Sequence, residues 1–257
     1  MVPEGLIHQL EPIIRHAGSI LLSYYHQQFT RTQKANGDFV TEADLASEKY
    51  LIMALTPLLP GAAIVAEESG THGKSDYCWV IDPLDGTTNF AHGLPYFCIS
   101  VALTYQGKSV IGVVYQPLLN EYFMASRGKG AFLNGKPIKV SAIHEIKDSM
   151  VLVGLPYAKS ATYSKLFEYF ALVAKKSYSV RHFGAAALDQ AYVACGRVDG
   201  VFFEDLAWWD IAAGYLLIEE AGGLVTDFEG KPIGADYKSF LGAGVSLHGF
   251  LKTLLKT

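Results

Sequence analysis

One short stretch constrains this chain more than any other: Trp79-Val80-Ile81-Asp82-Pro83-Leu84-Asp85-Gly86-Thr87-Thr88-Asn89-Phe90. A strongly apolar run breaks off into two carboxylates, and a glycine and two hydroxyls follow at once. Tyr77–Ile81 has the length and texture of a buried strand, so Asp82 and Asp85 fall at its carboxyl end, where open α/β sheets present ligands. Pro83 fixes one φ angle and removes a donor, which stiffens the loop. Gly86 permits a tight turn and a close approach to a ligand. The amides of Thr87 and Thr88 then open a helix toward an anion. Two acids for a cation beside free amides for an anion predict a metal-assisted phosphate site. Asp-Pro and Asp-Gly are also ordinary turn formers, and a Thr after Gly often only caps a helix. A turn alone does not account for the strand, both acids, the glycine and the hydroxyls together.

The chain has 257 residues, half of them hydrophobic and 18% charged. That is enough for one large domain or two packed halves with a substantial core. The net charge of −4 and the lack of a dense Lys/Arg tract give no reason to expect a nucleic-acid partner. A phosphorylated ligand therefore needs local positive charge, and bound cations would supply it. No apolar stretch reaches the roughly 18–20 residues of a membrane span. Glu4, His8 and Glu11 interrupt the N-terminus too early for a signal peptide. Cys78, Cys98 and Cys195 are widely spaced in apolar surroundings and read as reduced thiols of a cytoplasmic protein.

Leu6, Leu10, Ile13, Ile14, Ala17, Ile20, Leu21 and Tyr24 recur at helical spacing and predict a long first helix. After a polar break at Lys34–Asp38, Thr41 to Asp44 reads as the start of a second helix, closed by Pro57 and Pro60. Ala63–Ala66 is a short strand running into Glu67 and Glu68. From Tyr96 to Val140 the texture is that of an antiparallel meander, with Asn134-Gly135 as a hairpin turn between Ala131–Leu133 and Pro137–Val140. Downstream, helices near Tyr163–Lys175, Gly184–Cys195 and Asp210–Ala221 alternate with strands at Val151–Gly154, Tyr178–Arg181, Gly200–Glu204 and Leu224–Asp227. The expected organisation is an N-terminal half, 1–145, carrying most of the acids, and a C-terminal half, 146–257, forming one compact unit.

Three acidic sites stand at strand ends or helix starts: Glu67-Glu68, Asp82 with Asp85, and Asp210 after Trp208-Trp209. Carboxylates converging from separate segments suit magnesium, which takes oxygen ligands and keeps several waters. Two such cations roughly 3.5–4 Å apart suit phosphoryl transfer. His and Cys are scarce here, which argues against zinc. Each acid also has a plainer reading: Asp210 as a helix cap, Glu67-Glu68 as a solvated loop, Thr41 and Asp44 as a capping box.

The string from Trp79 to Phe90, with Ala91-His92-Gly93-Leu94-Pro95, resembles the first signature of the inositol monophosphatase family of magnesium-dependent, lithium-sensitive sugar phosphatases. Trp209-Asp210-Ile211-Ala212-Ala213-Gly214 onward to Gly223 resembles the second. Ala66-Glu67-Glu68-Ser69 and Asp38 to Asp44 match two further family blocks, all in the family's order. The resemblance implies an α/β, layered αβαβα sandwich of the inositol monophosphatase and fructose-1,6-bisphosphatase type, and a homodimer. It implies hydrolysis of a small phosphorylated polyol, first of all inositol 1-phosphate, by in-line attack of a metal-activated water. The other activities it admits are histidinol-phosphate, fructose-1,6-bisphosphate or adenosine 3′,5′-bisphosphate phosphatase, or a regulatory relative binding the transcription machinery.

By position, the resemblance makes Glu67, Asp82, the Leu84 carbonyl, Asp85 and Asp210 ligands of two to three magnesium ions. Gly86 and Thr87 match the phosphate cradle. Thr87 and Asp44 would orient the water, with Glu67 helping through its metal. Asp85, Arg181, Gly184, Ala185, Ala186 and Glu204 fall where the family holds the alcohol, Glu204 as the hydroxyl acceptor. His92 reads as peripheral. The Glu204–Asp210 segment is one residue shorter than in many members, and Trp208 stands where bacterial members often have proline. Both departures alter the rim that reads the sugar.

Overall fold

The computed structural model describes residues 5–25, 27, 31–33, 39–155 and 163–256. The polar break at Lys34–Asp38 lies outside them. Helix α1 (Leu6–Tyr24) buries Leu6, Leu10, Ile14, Ala17 and Leu21 along the stripe expected from their spacing. A two-stranded ribbon, β1 (Arg31–Gln33) with β2 (Phe39–Thr41), leads into α2 (Glu42–Leu55). Thr41 caps α2: its hydroxyl accepts from the Ala43 amide at 3.2 Å, and its own amide donates to Asp44 at 2.9 Å.

The first sheet has eight strands: β3 (Ala63–Ala66), β4 (Gly70–His72), β5 (Tyr77–Asp85), β6 (Cys98–Tyr105), β7 (Lys108–Gln116), β8 (Glu121–Ser126), β9 (Gly130–Leu133) and β10 (Lys136–Pro137), in spatial order 10-9-8-7-6-5-3-4. Only β3 and β5 run parallel, so their carboxyl ends, with Glu67 and Asp82, lie side by side. The short helix α3 (Thr87–Ala91) follows β5. The Asn134-Gly135 hairpin is present, but its second strand is shorter than expected, because only Lys136 and Pro137 pair with β9.

The second sheet, order 12-11-13-15-14, is built from β11 (Met150–Val153), β12 (Ser179–Arg181), β13 (Gly200–Glu204), β14 (Gly223–Thr226) and β15 (Ser239–Gly244). Its helices are α4 (Tyr163–Ala174), α5 (Ala186–Ala194), α6 (Trp208–Ile211), α7 (Gly214–Glu220) and α8 (Val245–Leu255). Sequence reasoning missed β15 and α8. It also joined α6 and α7 into one helix, whereas Ala212 and Ala213 separate two short ones.

Helices α1 and α2 cover one face of the first sheet, α5 and α7 fill the space between the sheets, and α4 and α8 cover the outside of the second. This is the expected αβαβα layering, with both sheets mixed. Along β6 the two faces alternate: Ile99, Val101 and Leu103 face α1 and α2, while Cys98 and Ala102 face α5 and α7. Gly112 on β7 has no side chain where a Cβ would lie 2.6 Å from the Ala213 carbonyl, which lets the α6–α7 junction rest on the sheet. That junction delivers Asp210 to the end of β5.

Candidate active site

Strand β5 does not stop at Ile81. It continues through Asp85 by way of a bulge: Asp82 and Asp85 oppose Ser100 and Cys98, so one extra residue lies on the β5 side. Pro83 occupies the bulge, where its missing N–H breaks no ladder bond. The two acids, expected in a loop, are thus held by strand pairing, and Asp82 is further fixed by the Leu84 amide donating at 3.0 Å.

Four acids come together here. The Glu67 amide donates to Ile81 O at 3.1 Å, which seats Glu67 beside Asp82. Burial and then the charges of Glu67, Asp85 and Asp210 push the Asp82 carboxyl well above the ordinary carboxylate range. Asp85 is raised to about 6 by burial, against the amides of Ala187, Leu188 and Ala186 and the Cys98 thiol, all of which donate to it. The Ala186 and Ala187 amides lie at 3.0 and 2.7 Å, so Asp85 also caps the start of α5. Asp210 is the third residue of α6, not its first, and accepts from the Ala207 amide at 2.8 Å. The cap reading and the cluster reading of Asp210 therefore both hold. Gln190 Nε2 donates to the Asp210 carbonyl at 2.9 Å and ties that segment to α5.

Among the described residues, no three His, Cys, Asp or Glu side chains are grouped so as to hold an ion as they stand. The donor set nevertheless fits magnesium. It is all oxygen, with Asp82 and Asp85 buried and Glu67 and Asp210 half-buried, and its members repel one another; magnesium needs few carboxylates because it keeps several of its waters.

Thr87 opens α3 after Gly86, whose φ of 88° only glycine adopts without strain. A Cβ at Gly86 would also sit 3.0 Å from Tyr96 O and from Ala185 Cβ. The Thr87 hydroxyl stands 2.9 Å from Leu84 O and 3.0 Å from Asp44 Oδ1. Asp44 is fully buried, and burial raises it to about 6 against hydrogen bonds from Thr41. The expected pairing of Thr87 with Asp44 is thus present. Glu204 ends β13, and its Oε2 is a buried acceptor without a donor among the described residues. Burial raises its carboxyl, with Lys165 opposing.

Gly184, Ala185 and Ala186 line the acid cleft with Asp85 and Asp210; Glu204 is not among its lining residues, and neither is Arg181. Its guanidinium is exposed on the edge strand β12 and donates to Val180 O at 2.9 Å and to Ser179 Oγ. His92 is exposed, its Nδ1 donating to Thr88 O at 2.8 Å.

Several supporting residues escaped sequence reasoning. Glu48 accepts from the amides of Glu68 and Ser69, both at 2.8 Å, and so shapes the turn that carries Glu67. Ser47 donates to Pro83 O at 3.1 Å, gripping the bulge. Asn89 Nδ2 donates to Tyr96 O and Phe183 O at 2.8 and 2.7 Å. Asp189, buried behind Asp85, takes the Tyr96 hydroxyl at 2.7 Å. An acid one turn beyond Asp44, on a face otherwise made of Leu51 and Leu55, was the available signal for Glu48.

The sequence profile of the inositol monophosphatase family matches residues 4–256. The chain belongs to the inositol monophosphatase family. A crystal structure of the extragenic suppressor protein suhB from Bartonella henselae shares the fold with a TM-score of 0.94 and 36% identity, over 99% of each chain. An IMPase of Thermotoga maritima gives a TM-score of 0.87 and 34% identity over 95% of this chain and 94% of its own. The Nus factor SuhB of Pasteurella multocida is 42% identical over 220 residues, 84% of this chain and 82% of that protein. The layered α/β fold with two mixed sheets is that of the family.

Proposed function

We propose that this chain hydrolyses small phosphate monoesters with magnesium. The observation that carries this reading is the convergence of Glu67, Asp82, Asp85 and Asp210 beside the Thr87–Asp44 pair. Glu67, Asp82, the Leu84 carbonyl, Asp85 and Asp210 would hold two to three magnesium ions, which supply charge neutralisation and lower the pKa of water. The chain's own groups do the rest. Thr87, fixed by Leu84 O and Asp44, orients the attacking water. The amides of Gly86 and Thr87 receive phosphate oxygens at the start of α3. Gly184, Ala185 and Ala186 shape the cleft beside the leaving alcohol, and Glu204 Oε2 accepts one of its hydroxyls. Inositol 1-phosphate carries hydroxyls of the kind that acceptor takes. Phosphate release from inositol 1-phosphate, with and without magnesium, tests the reading. Asp82→Asn should abolish it while the fold persists, and unchanged turnover would sink the mechanism.

A second reading rests on the relatives. A protein named a Nus factor, at 42% identity, weighs more for a regulatory role bound to the transcription machinery than for inositol 1-phosphate as the physiological substrate. We therefore read the chain as a phosphatase framework that also docks as a regulator. It would work in the cytoplasm as a homodimer of two-part protomers whose halves meet near residue 145. Among the described residues no helix is long and apolar enough to cross a membrane. Affinity purification of Asp82→Asn separates the two roles. Retained association with transcription proteins supports the regulatory reading, and no association in either form removes it.

A further inference from the structure

Asp189 lines the acid cleft together with Asp85 and Asp210, yet the chemistry described above gives it no task. It lies in the first turn of α5 and is only 1% exposed. Its Oδ1 accepts the Tyr96 hydroxyl at 2.7 Å, and no described residue donates to its Oδ2. A carboxyl oxygen buried so deeply costs stability unless something partners it, whether the group is charged or protonated. The cleft is where a partner can stand. It encloses about 70 Å³, room for a few waters. Apart from the three acids and the exposed His182, its lining is glycine, alanine and leucine.

The acid is also held in place. Asp85 takes the amides of Ala186 and Ala187 at 3.0 and 2.7 Å, and Asp189 follows on the same helical turn, so the spacing of the two carboxylates is fixed. Tyr96, which orients Asp189 through Oδ1, is itself packed against the rings of Phe183 and Tyr192, with centroids 4.9 and 5.7 Å away.

We infer that Asp189 is a positioning residue for the cation: its Oδ2 accepts a hydrogen bond from a water carried by magnesium that Asp85 and Asp210 hold. The inference rests on the magnesium-dependent reading above and adds to it an acid that does not touch the ion. Magnesium keeps several of its waters. Each turns its oxygen to the ion and offers only its hydrogens outward, so those hydrogens need acceptors. Asp85 has little to spare, because its Oδ1 takes the Ala186 amide and its Oδ2 those of Ala187 and Leu188. Asp210 Oδ2 likewise takes the Ala207 amide. Asp189 Oδ2 carries no such commitment.

Calorimetric titration of the full chain with magnesium and, separately, with calcium tests this. Calcium takes more ligand oxygens from the protein and depends less on retained water. Asp189→Asn keeps an oxygen for Tyr96 and turns an amide, which only donates, toward the cleft. Magnesium should bind that variant about tenfold more weakly, as loss of a group supporting a metal site typically causes, and calcium should lose much less. Equal losses for the two ions would make Asp189 a bare charge and overturn the inference, as would no loss for either. If Asp189→Asn does not fold, Tyr96→Phe decides, since it keeps the acid and frees its orientation. A smaller loss, again greater for magnesium, supports the inference, and unchanged or equally reduced affinities overturn it. Phosphate release by the parent is read separately. A parent that binds magnesium without turnover sinks the phosphatase reading while the titrations still decide the role of Asp189. A parent that binds no magnesium sinks both.

Discussion

Thr87 has one hydroxyl proton and two acceptors within reach, Leu84 O and Asp44 Oδ1. A water arriving at the site competes for the same hydroxyl, which is how a threonine comes to orient a nucleophile. Thr87→Ala should lower kcat by about 10²-fold, at the lower end of what a positioned proton-transfer group contributes. Thr87→Ser should restore most of it, and inhibition by inorganic phosphate should weaken far less than turnover in either variant. Asp82 has a different energetic role, because it is buried among three other acids. In magnesium-free protein Asp82→Asn relieves repulsion while keeping the oxygen that accepts from Leu84 N. Its unfolding free energy should rise by about 1–2 kcal/mol, while the thermal shift given by magnesium in the parent shrinks. A drop in stability on that substitution would show that the four acids do not repel one another as placed.

Helix α2 presents Asp44, Ser47 and Glu48 on one buried face, and each grips a different segment: Thr87 of α3, the carbonyl of Pro83, and the amides of Glu68 and Ser69. The helix is therefore a jig that sets the spacing of the site. Glu48→Ala should weaken magnesium affinity by about tenfold, as loss of a group supporting a metal ligand typically does. Glu48→Gln, which keeps one acceptor, should fall between, and calorimetric titration with magnesium would rank the three. The strand ending in acids and the order of the acidic segments were legible in the sequence, because alternation and composition are local. The jig was not. Helical periodicity flags apolar faces, and a buried polar face looks like a solvated one until its partners, 36 residues away for Ser47 and 20 for Glu48, are in view. The β5 bulge was hidden for a related reason: Pro83 reads as a strand breaker, and only pairing with β6 shows the strand carrying on past it. Strand β15 and helix α8 were missed because Ser239–Gly244 mixes glycine and alanine with two large apolar residues and lacks a clear alternation.

Across the whole molecule, two kinds of buried titratable group pull stability in opposite directions with pH. Burial, with Lys252 adding, lowers His248 on α8 to about 4. Its contribution is fully present above its unfolded value of 6.5 and is lost as pH falls toward 4. Asp44 and Asp85, raised by burial to about 6, do the reverse. In magnesium-free protein their contribution is full below the unfolded value of 3.8 and is lost as pH rises through 6. The thermal midpoint should therefore fall as pH rises from 4 to 6, because two raised acids outweigh one lowered histidine. His248→Gln should steepen that fall. Magnesium should raise the midpoint more at pH 8 than at pH 5, because protons compete for the same carboxylates, and an equal rise at both would contradict the shifted acids. One of those carboxylates has a wider consequence. Asp85 faces the other acids and also holds the first turn of α5, which packs between the two sheets. A descendant of this chain that gave up hydrolysis would still be penalised for losing Asp85, since the interior helix would lose its anchor. Its survival in a lineage reports inheritance of an architecture as much as retention of a trade, so an intact Asp85 does not by itself record whether any chemistry is still under selection.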